Sequence, residues 1–394
     1  MIAVATSEYF FDALPDRREG FVMTYRGLIG LADPLREGVE HSVHSCIQAG
    51  VRVVMITGDY PATAYAIARQ AGIVTDDQRP EAVVITGDDL RLWSDAELNQ
   101  HIHSARVFAR VQPIEKLRLV RAFQAAGHVV AMTGDGVNDA PALRAADIGI
   151  AMGRRGTDVA REAAALVLLE DDFRAIVDAM ARGRLIYSNL RKAIGFVVAI
   201  HVPIAGLATL PIMFGLPMLL LPVHIAFMEM IIDPISSIVF ESQEARHNAM
   251  REPPRNPAEP LFPWLFMVQS ILQGALGFSV LAFGLWGFSA LGYTPEQIRT
   301  LMFVGLVFSG LGIVVLKLGP ERLLDVFSQH QYRVFLYIAL AISLLLTVVT
   351  FLPPLRGLFQ FQAVQVWAFA LAVATPLMVL AVLGRRIGRH PQLF

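Results

Sequence analysis

Apolar and polar positions are distributed in two different ways along this chain. Up to residue 192 the apolar stretches are short and interrupted by charge. GLIGLA, VRVVMITG, AVVITG, ARVFAR, HVVAMTG, IGIAM and ALVLLE are each bounded by Gly, Asp or Thr and read as buried strands. Between them lie helical stretches such as LREGVEHSVHSCIQAG, PATAYAIARQAGI and PIEKLRLVRAFQAAG. Strands alternating with helices predict an α/β domain with a parallel sheet covered on both faces, and in such sheets ligands sit at the carboxyl ends of the strands. From Ala193 to Met228 there is no Asp, Glu, Lys or Arg, and further uncharged runs occupy 260–295, 300–316, 334–355 and 357–384. A large buried helical core would show polar faces at the helical period, and these runs show none. They predict six transmembrane helices, at about 193–214, 218–240, 263–288, 300–318, 334–352 and 364–383.

Composition sharpens that division. The chain is 394 residues long, 55% hydrophobic and 17% charged, with a formal net charge of -1. Neither the sign nor the density of charge suits a disordered protein or a nucleic-acid partner. A single cysteine, Cys46, excludes an internal disulfide and a Cys-based zinc site. Basic residues favour alternate connections. Arg182, Arg184, Arg191 and Lys192 precede the first helix, and Arg246, Arg251 and Arg255 follow the second. Lys317, Arg322 and Arg333 follow the fourth, and Arg385, Arg386 and Arg389 follow the sixth. The other connections hold only Arg299 and Arg356. The expectation is a multi-pass protein of the plasma (inner) membrane with both ends and the α/β domain in the cytoplasm.

Chemistry gathers at the predicted strand ends. Thr57-Gly58-Asp59 and the stretch Thr133 to Pro141 each place a hydroxyl, a glycine and a carboxylate directly after a buried strand. Such a loop can bind phosphate and a hard metal ion, or can be a plain strand-ending turn. For Thr57–Asp59 alone both readings stand. Thr86-Gly87-Asp88, with no acidic cluster behind it, reads as a capped turn. The stretch Gly134–Asp139, with two Asp, two Gly and an Asn in six residues, is too dense in functional groups for a turn alone. Lys116 opens a helix behind another strand; a lone helical lysine is ordinarily a surface residue, and its case rests on its neighbours.

In the apolar half, HIAFMEMIIDPISSIVFE carries Glu229 and Asp233 one helical turn apart, followed by Pro234. An acid at the centre of a membrane helix costs on the order of 2.5–3.5 kcal/mol on insertion scales, so such pairs mark ion or proton sites. Proline there frees carbonyls that can add ligands. His201, in FVVAIHVPIAG, is either a further ligand or a hydrogen-bond donor to a neighbouring carbonyl. His224 reads as structural. The run from Phe173 to Lys192 enters the first membrane helix without a proline and predicts one continuous stalk.

TGDGVNDAPALRAADIGIAM, together with ADPLREGV, VMITGD and FARVQPIEK in that order, resembles the phosphorylation domain of P-type cation-transporting ATPases, of haloacid-dehalogenase-like fold. The six apolar helices resemble the fifth to tenth membrane segments of the calcium-pump and sodium-pump branch. The resemblance implies a Rossmann-like phosphorylation domain over 26–190, residues 1–25 as the tail of a nucleotide-binding domain, and a membrane domain over 191–394. It implies ATP as substrate and Mg²⁺ as cofactor. Asp135 then matches the Mg²⁺ ligand, with Asn138 and Asp139 holding the phosphate and metal loop and Asp139 sharing the metal. Thr57 and Gly58 match the loop that binds the transferred phosphoryl group, and Asp59 its nucleotide side. Lys116 matches the lysine that neutralises the aspartyl phosphate, and Asp33 and Arg36 a hinge pair near the nucleotide. On the helix that matches the sixth segment, Asp233 matches a cation-binding Asp, Glu229 stands where those pumps commonly have Asn, and the Glu they would carry near Ile204 is absent. Glu229, Asp233 and His201 are the candidate ligands of the transported ion, for which Ca²⁺ ranks first.

Two family signatures, Asp-Lys-Thr-Gly-Thr with its nucleophile and Thr-Gly-Glu, do not occur in this sequence. The chain is therefore expected to be the C-terminal part of a pump and inactive alone. Its implied partners are the transported cation, the bilayer and the missing N-terminal part. The alternative is a non-catalytic remnant or membrane subunit that binds cations or a pump.

Overall fold

The computed structural model describes residues 2–8, 17, 20–30, 34–243, 250–320 and 325–384. The chain divides into two compact units, Met1–Val177 and Asp178–Phe394. The first unit opens with β1 (Ile2–Thr6) and β2 (Thr24–Ile29), which pair antiparallel as a two-stranded ribbon. The described part of the apolar run GLIGLA, residues 27–30, thus belongs to this ribbon and its end, and not to a parallel sheet. Then come α1 (Val39–Gln48), β3 (Met55–Ile56), α2 (Pro61–Gln70), α3 (Pro80–Val83), β4 (Val84–Thr86), α4 (Gly87–Leu92), α5 (Asp95–His101), β5 (Val107–Ala109) and α6 (Pro113–Ala125). After them follow β6 (Ala131–Gly134), α7 (Ala140–Ala145), β7 (Ile148–Met152), α8 (Asp158–Ala163) and β8 (Leu166–Leu168).

The six strands β3 to β8 do not form one continuous sheet. They form two parallel three-stranded sheets, ordered β3-β5-β4 and β6-β7-β8. β3 and β6 are each the terminal strand of their sheet. Their side chains nevertheless share a core: Ile56 and Val130 pack both against the cluster of Leu119, Phe108 and Phe123 and against that of Val120, Met132 and Leu143. Apolar burial holds the two sheets together where ladder hydrogen bonds do not.

Local signals explain several boundaries. Thr86 accepts from the Asp89 amide while Asp89 accepts from the Thr86 amide, a reciprocal capping box that starts α4. The third Thr-Gly-Asp is therefore a helix cap. Ser94 and Glu97 do the same for α5.

The second unit is helical. α9 (Arg174–Phe214) is one unbroken helix of 41 residues, with Pro203 and Pro211 inside its apolar part. α10 (Pro222–Pro234) passes directly into a π-helical stretch, Ile235–Val239. α11 (Trp264–Ala290), α12 (Pro295–Leu318), α13 (Asp325–Ser328), α14 (Arg333–Phe351), α15 (Pro353–Leu358) and α16 (Val366–Val379) complete the order. Among the described residues five helical spans are long and apolar enough to cross a membrane. The segment predicted at 364–383 forms α16 and a further π-helical turn to Gly384, and so falls short of that length as an α-helix.

α12 is the buried centre of this unit, with Leu301, Phe303, Val304, Leu306 and Ile313 fully enclosed. Arg299 is buried at its start, donating to the carbonyls of Met218 and Gln360 at 3.0–3.1 Å. It clamps two connections together and is no loop charge. His224 is fully buried: Nδ1 accepts from the Leu221 amide at 2.9 Å, and Nε2 donates to the Phe359 carbonyl at 2.9 Å. Those two partners fix a neutral tautomer, and the ring stacks on Phe361.

Candidate functional site

The two loops of interest follow the sheet-terminal strands β3 and β6. At the end of β3, the Thr57 hydroxyl donates to Asp59 Oδ2 at 2.9 Å and accepts from the Asp59 amide at 3.1 Å. This closes a turn that delivers the chain to Pro61 at the start of α2. The Thr57 amide is held by the Phe108 carbonyl of β5 at 2.9 Å. Gly58 is exposed, and a Cβ there would meet nothing within 4 Å. The backbone is therefore open to an approaching group.

At the end of β6 the loop is tied down from within. Asp139 is buried, and both of its carboxylate oxygens are engaged. Oδ1 accepts from Lys116 Nζ at 2.6 Å, and Oδ2 accepts from the amides of Asp135 and Gly136 at 3.3 and 3.5 Å. Gly134 makes this possible, because a Cβ there would lie 2.6 Å from the Asp139 Cβ. The Asp135 carbonyl accepts from the Thr157 amide at 2.8 Å, and Thr157 in turn caps α8. The Asp135 and Asn138 side chains face solvent, with no hydrogen-bond partner among the described residues. The Gly134 contact and the Thr157 strut are invisible to sequence reasoning, because each depends on residues that meet only in the fold.

This loop can be tested against Mg²⁺ directly. The ion keeps several waters and commonly takes one or two carboxylates beside phosphate oxygens. Asp135 is such a carboxylate. Asp139, expected to share the metal, is spent on Lys116 and the loop backbone. Among the described residues no group of three His, Cys, Asp or Glu forms an all-protein metal cage, and Mg²⁺ bound with phosphate needs none.

Of the hinge pair, Asp33 lies outside the described residues. Arg36 donates to the carbonyl of Asp171 at the turn between β8 and α9. Asp171 itself is buried, has a left-handed backbone (φ 54°) and accepts from the amides of Arg154 and Arg155 at 3.0 and 3.1 Å. Burial opposes its ionisation, but those amides, that of Gly153 and the Arg36 charge outweigh it and hold the carboxyl below the usual range.

In the helical unit, Glu229 and Asp233 lie one turn apart on α10 and both are exposed. Glu229 Oε1 lies 3.8 Å from Nε2 of His201 on α9. The other ring nitrogen, Nδ1, donates to the Val197 carbonyl at 2.7 Å. His201 thus makes the carbonyl bond that the sequence allowed, one turn back, while its Nε2 faces the Glu229 carboxylate. Beyond Pro234, the Ser237 hydroxyl donates to the Asp233 carbonyl at 2.6 Å, inside the π-helical stretch.

Residues 5–147 match the family described as haloacid dehalogenase-like hydrolase, and residues 217–386 match the one described as cation transporting ATPase, C-terminus. The chain is 35% identical over 371 residues to a calcium-transporting ATPase of Bacillus subtilis, covering 91% of this chain and 40% of that protein. It is 34% identical over 374 residues to the cation-transporting ATPase pma1 of Synechocystis, covering 93% and 41%. It is 33% identical over 348 residues to the human calcium-transporting ATPase type 2C member 2, covering 86% and 36%. The chain spans about 40% of the length of the first two.

Proposed function

Because the chain belongs to the P-type cation-transporting ATPases, we propose that it supplies the phosphoryl-handling loops and part of the ion site of a pump. The pump couples ATP hydrolysis, through an aspartyl phosphate, to movement of a hard cation, Ca²⁺ first. The observation that carries this reading is the ion pair of half-buried Lys116 with buried Asp139, in the same loop as the exposed carboxylate of Asp135 at the end of β6. Phosphoryl transfer asks a protein mainly for positioning and charge compensation. Lys116 supplies the cation, Thr57 and Gly58 an open backbone for phosphate oxygens, and Asp135 the hard ligand for Mg²⁺. When bound, Mg²⁺ neutralises charge developing on the phosphoryl oxygens.

Two further features support the reading. β3 and β6 each end their sheet and share one core through Ile56 and Val130, which suits an added strand between them carrying the aspartyl nucleophile. Glu229, Asp233 and His201 present two carboxylates and an imidazole on exposed faces of apolar helices. Acids at that depth are costly against lipid, so further polypeptide is expected to cover this face. Oxygen-rich ligands favour a hard cation. In this reading the helical unit crosses the plasma membrane, with the α/β unit and both ends of the chain on its cytoplasmic side.

The test is to co-express this chain with a second polypeptide carrying Asp-Lys-Thr-Gly-Thr and Thr-Gly-Glu, and to assay an acid-stable phosphoenzyme from labelled ATP. A Ca²⁺-dependent phosphoenzyme is expected, absent in Asp135→Asn. In Glu229→Gln the Ca²⁺ requirement should rise about tenfold or more, the equivalent of ~1.4 kcal/mol of lost ligation. No phosphoenzyme, or Ca²⁺ dependence indifferent to Glu229, overturns the assignment.

A further inference from the structure

A cluster of cations with no carboxylate partner among the described residues sits where the apolar part of α9 begins, beside the start of α11 and the close of α12. Tyr187, Arg191 and Gly195 lie on one face of α9, a turn apart. The Arg191 guanidinium stands 4.9 Å from the centre of the Phe266 ring on α11, and the Lys317 ammonium of α12 stands 5.4 Å from the same ring. Gly195 makes the room: a Cβ there would lie 2.8 Å from the Phe266 ring and 3.0 Å from Lys317 Nζ. Tyr187 extends the group, with Arg191 at 5.8 Å and Arg255 at 5.4 Å from its ring.

These three cations are poorly satisfied for their setting. Lys317 donates to the Ser270 hydroxyl at 2.9 Å, which uses one of its three N–H groups. Arg191 and Arg255 make only ring contacts, and none of the three has a carboxylate within ion-pair distance among the described residues. Arg191 and Lys317 are half-buried. Aromatic rings orient the cations and shield them, yet leave the guanidinium forks open for a planar or tetrahedral anion.

We propose that Arg191, Lys317 and Arg255 bind the phosphate of an anionic phospholipid headgroup. A phosphodiester or free phosphate has the same donor-accepting chemistry, and position selects the lipid. Arg191 stands two residues before Ala193, where the uncharged run begins, Lys317 stands at the close of α12, and Phe266 stands in the first turn of α11. All three therefore lie at the border between apolar helix and polar connection, the depth of lipid headgroups. Basic pockets between membrane helices at that depth recognise acidic lipids. The site also fastens α9, α12 and the connection that leads into α11 to one ligand, and so braces the helix that carries His201. It is independent of the transport reading and requires only that these helices span a bilayer.

The experiment measures the melting temperature of the full chain in neutral detergent with added phosphatidylglycerol, phosphatidylcholine or sodium phosphate at matched concentrations. Phosphatidylglycerol is expected to raise it by several degrees, and the other two are not. Arg255→Gln, an exposed change that leaves packing intact, and Lys317→Gln should each remove at least half of that difference. Arg356→Gln, in the connection after α14, should leave it unchanged. Equal stabilisation by phosphatidylcholine or by phosphate overturns the proposal. So does a full phosphatidylglycerol shift in Arg255→Gln.

Discussion

Asp139 spends both oxygens on structure so that Asp135 can spend none, and that division of labour between two carboxylates four residues apart organises the loop. The sequence announced the loop through its density of Asp, Gly and Asn, but not which acid is buried. That depends on Lys116 arriving from α6 and on Gly134 leaving room. Asp171 was not legible at all: its neighbours Asp172 and Glu170 look alike in sequence, and only its left-handed backbone aims it at two amides. A carboxyl held below its usual range stabilises the fold above the unfolded pKa near 3.9, and that contribution fades as pH falls through the lower folded value. Asp171→Asn is therefore expected to melt lower near neutral pH. It should also lose less stability than the parent as pH drops from about 5 to 3. A melting-temperature series across that range reads the effect, and parallel curves for the two proteins would refute it.

Elements show why some boundaries were readable and others not. Thr86 and Ser94 start helices by reciprocal caps whose partners lie three residues on, so the sequence alone carries the signal. The uncharged run from Ala193 marked only the apolar half of α9; the absence of proline from Phe173 to Lys192 correctly implied that the helix begins well before it. The π-helical stretch after Pro234 was foreseeable only as a disturbance, since proline reveals that a helix is perturbed and not what replaces it. His224 couples two elements, holding the start of α10 to the Phe359 carbonyl. His224→Phe should preserve the stack on Phe361 while stranding a buried amide and a buried carbonyl. A loss of about 1–3 kcal/mol is expected, read by denaturation in detergent micelles. A variant as stable as the parent would show that the two hydrogen bonds are worth nothing net.

At the scale of the whole molecule, charge separates the two units more clearly than any motif does, and the basic connections predict which ends of the helices share a compartment. Arg299, one of two exceptions, turns out to be a buried clamp on Met218 and Gln360, which strengthens the asymmetry. With Cys46→Ser as background, a single cysteine at Leu358 should react with an impermeant maleimide on intact cells, and one at Glu259 only after the membrane is opened. The reverse pattern would invert the topology. A single continuous sheet was expected from the alternation of strands and helices, and two were found. Alternation fixes which segments become strands, whereas the neighbour of each strand is decided by segments far away in sequence. The terminal positions of β3 and β6 also have a consequence for the life of the polypeptide as it leaves the ribosome. A strand edge without a partner is a template for any extended segment nearby, including another copy of the same chain. How much of the newly made protein survives should therefore depend on a race between capping those edges and aggregation or proteolysis. Conditions that slow synthesis or dilute the product will favour the first.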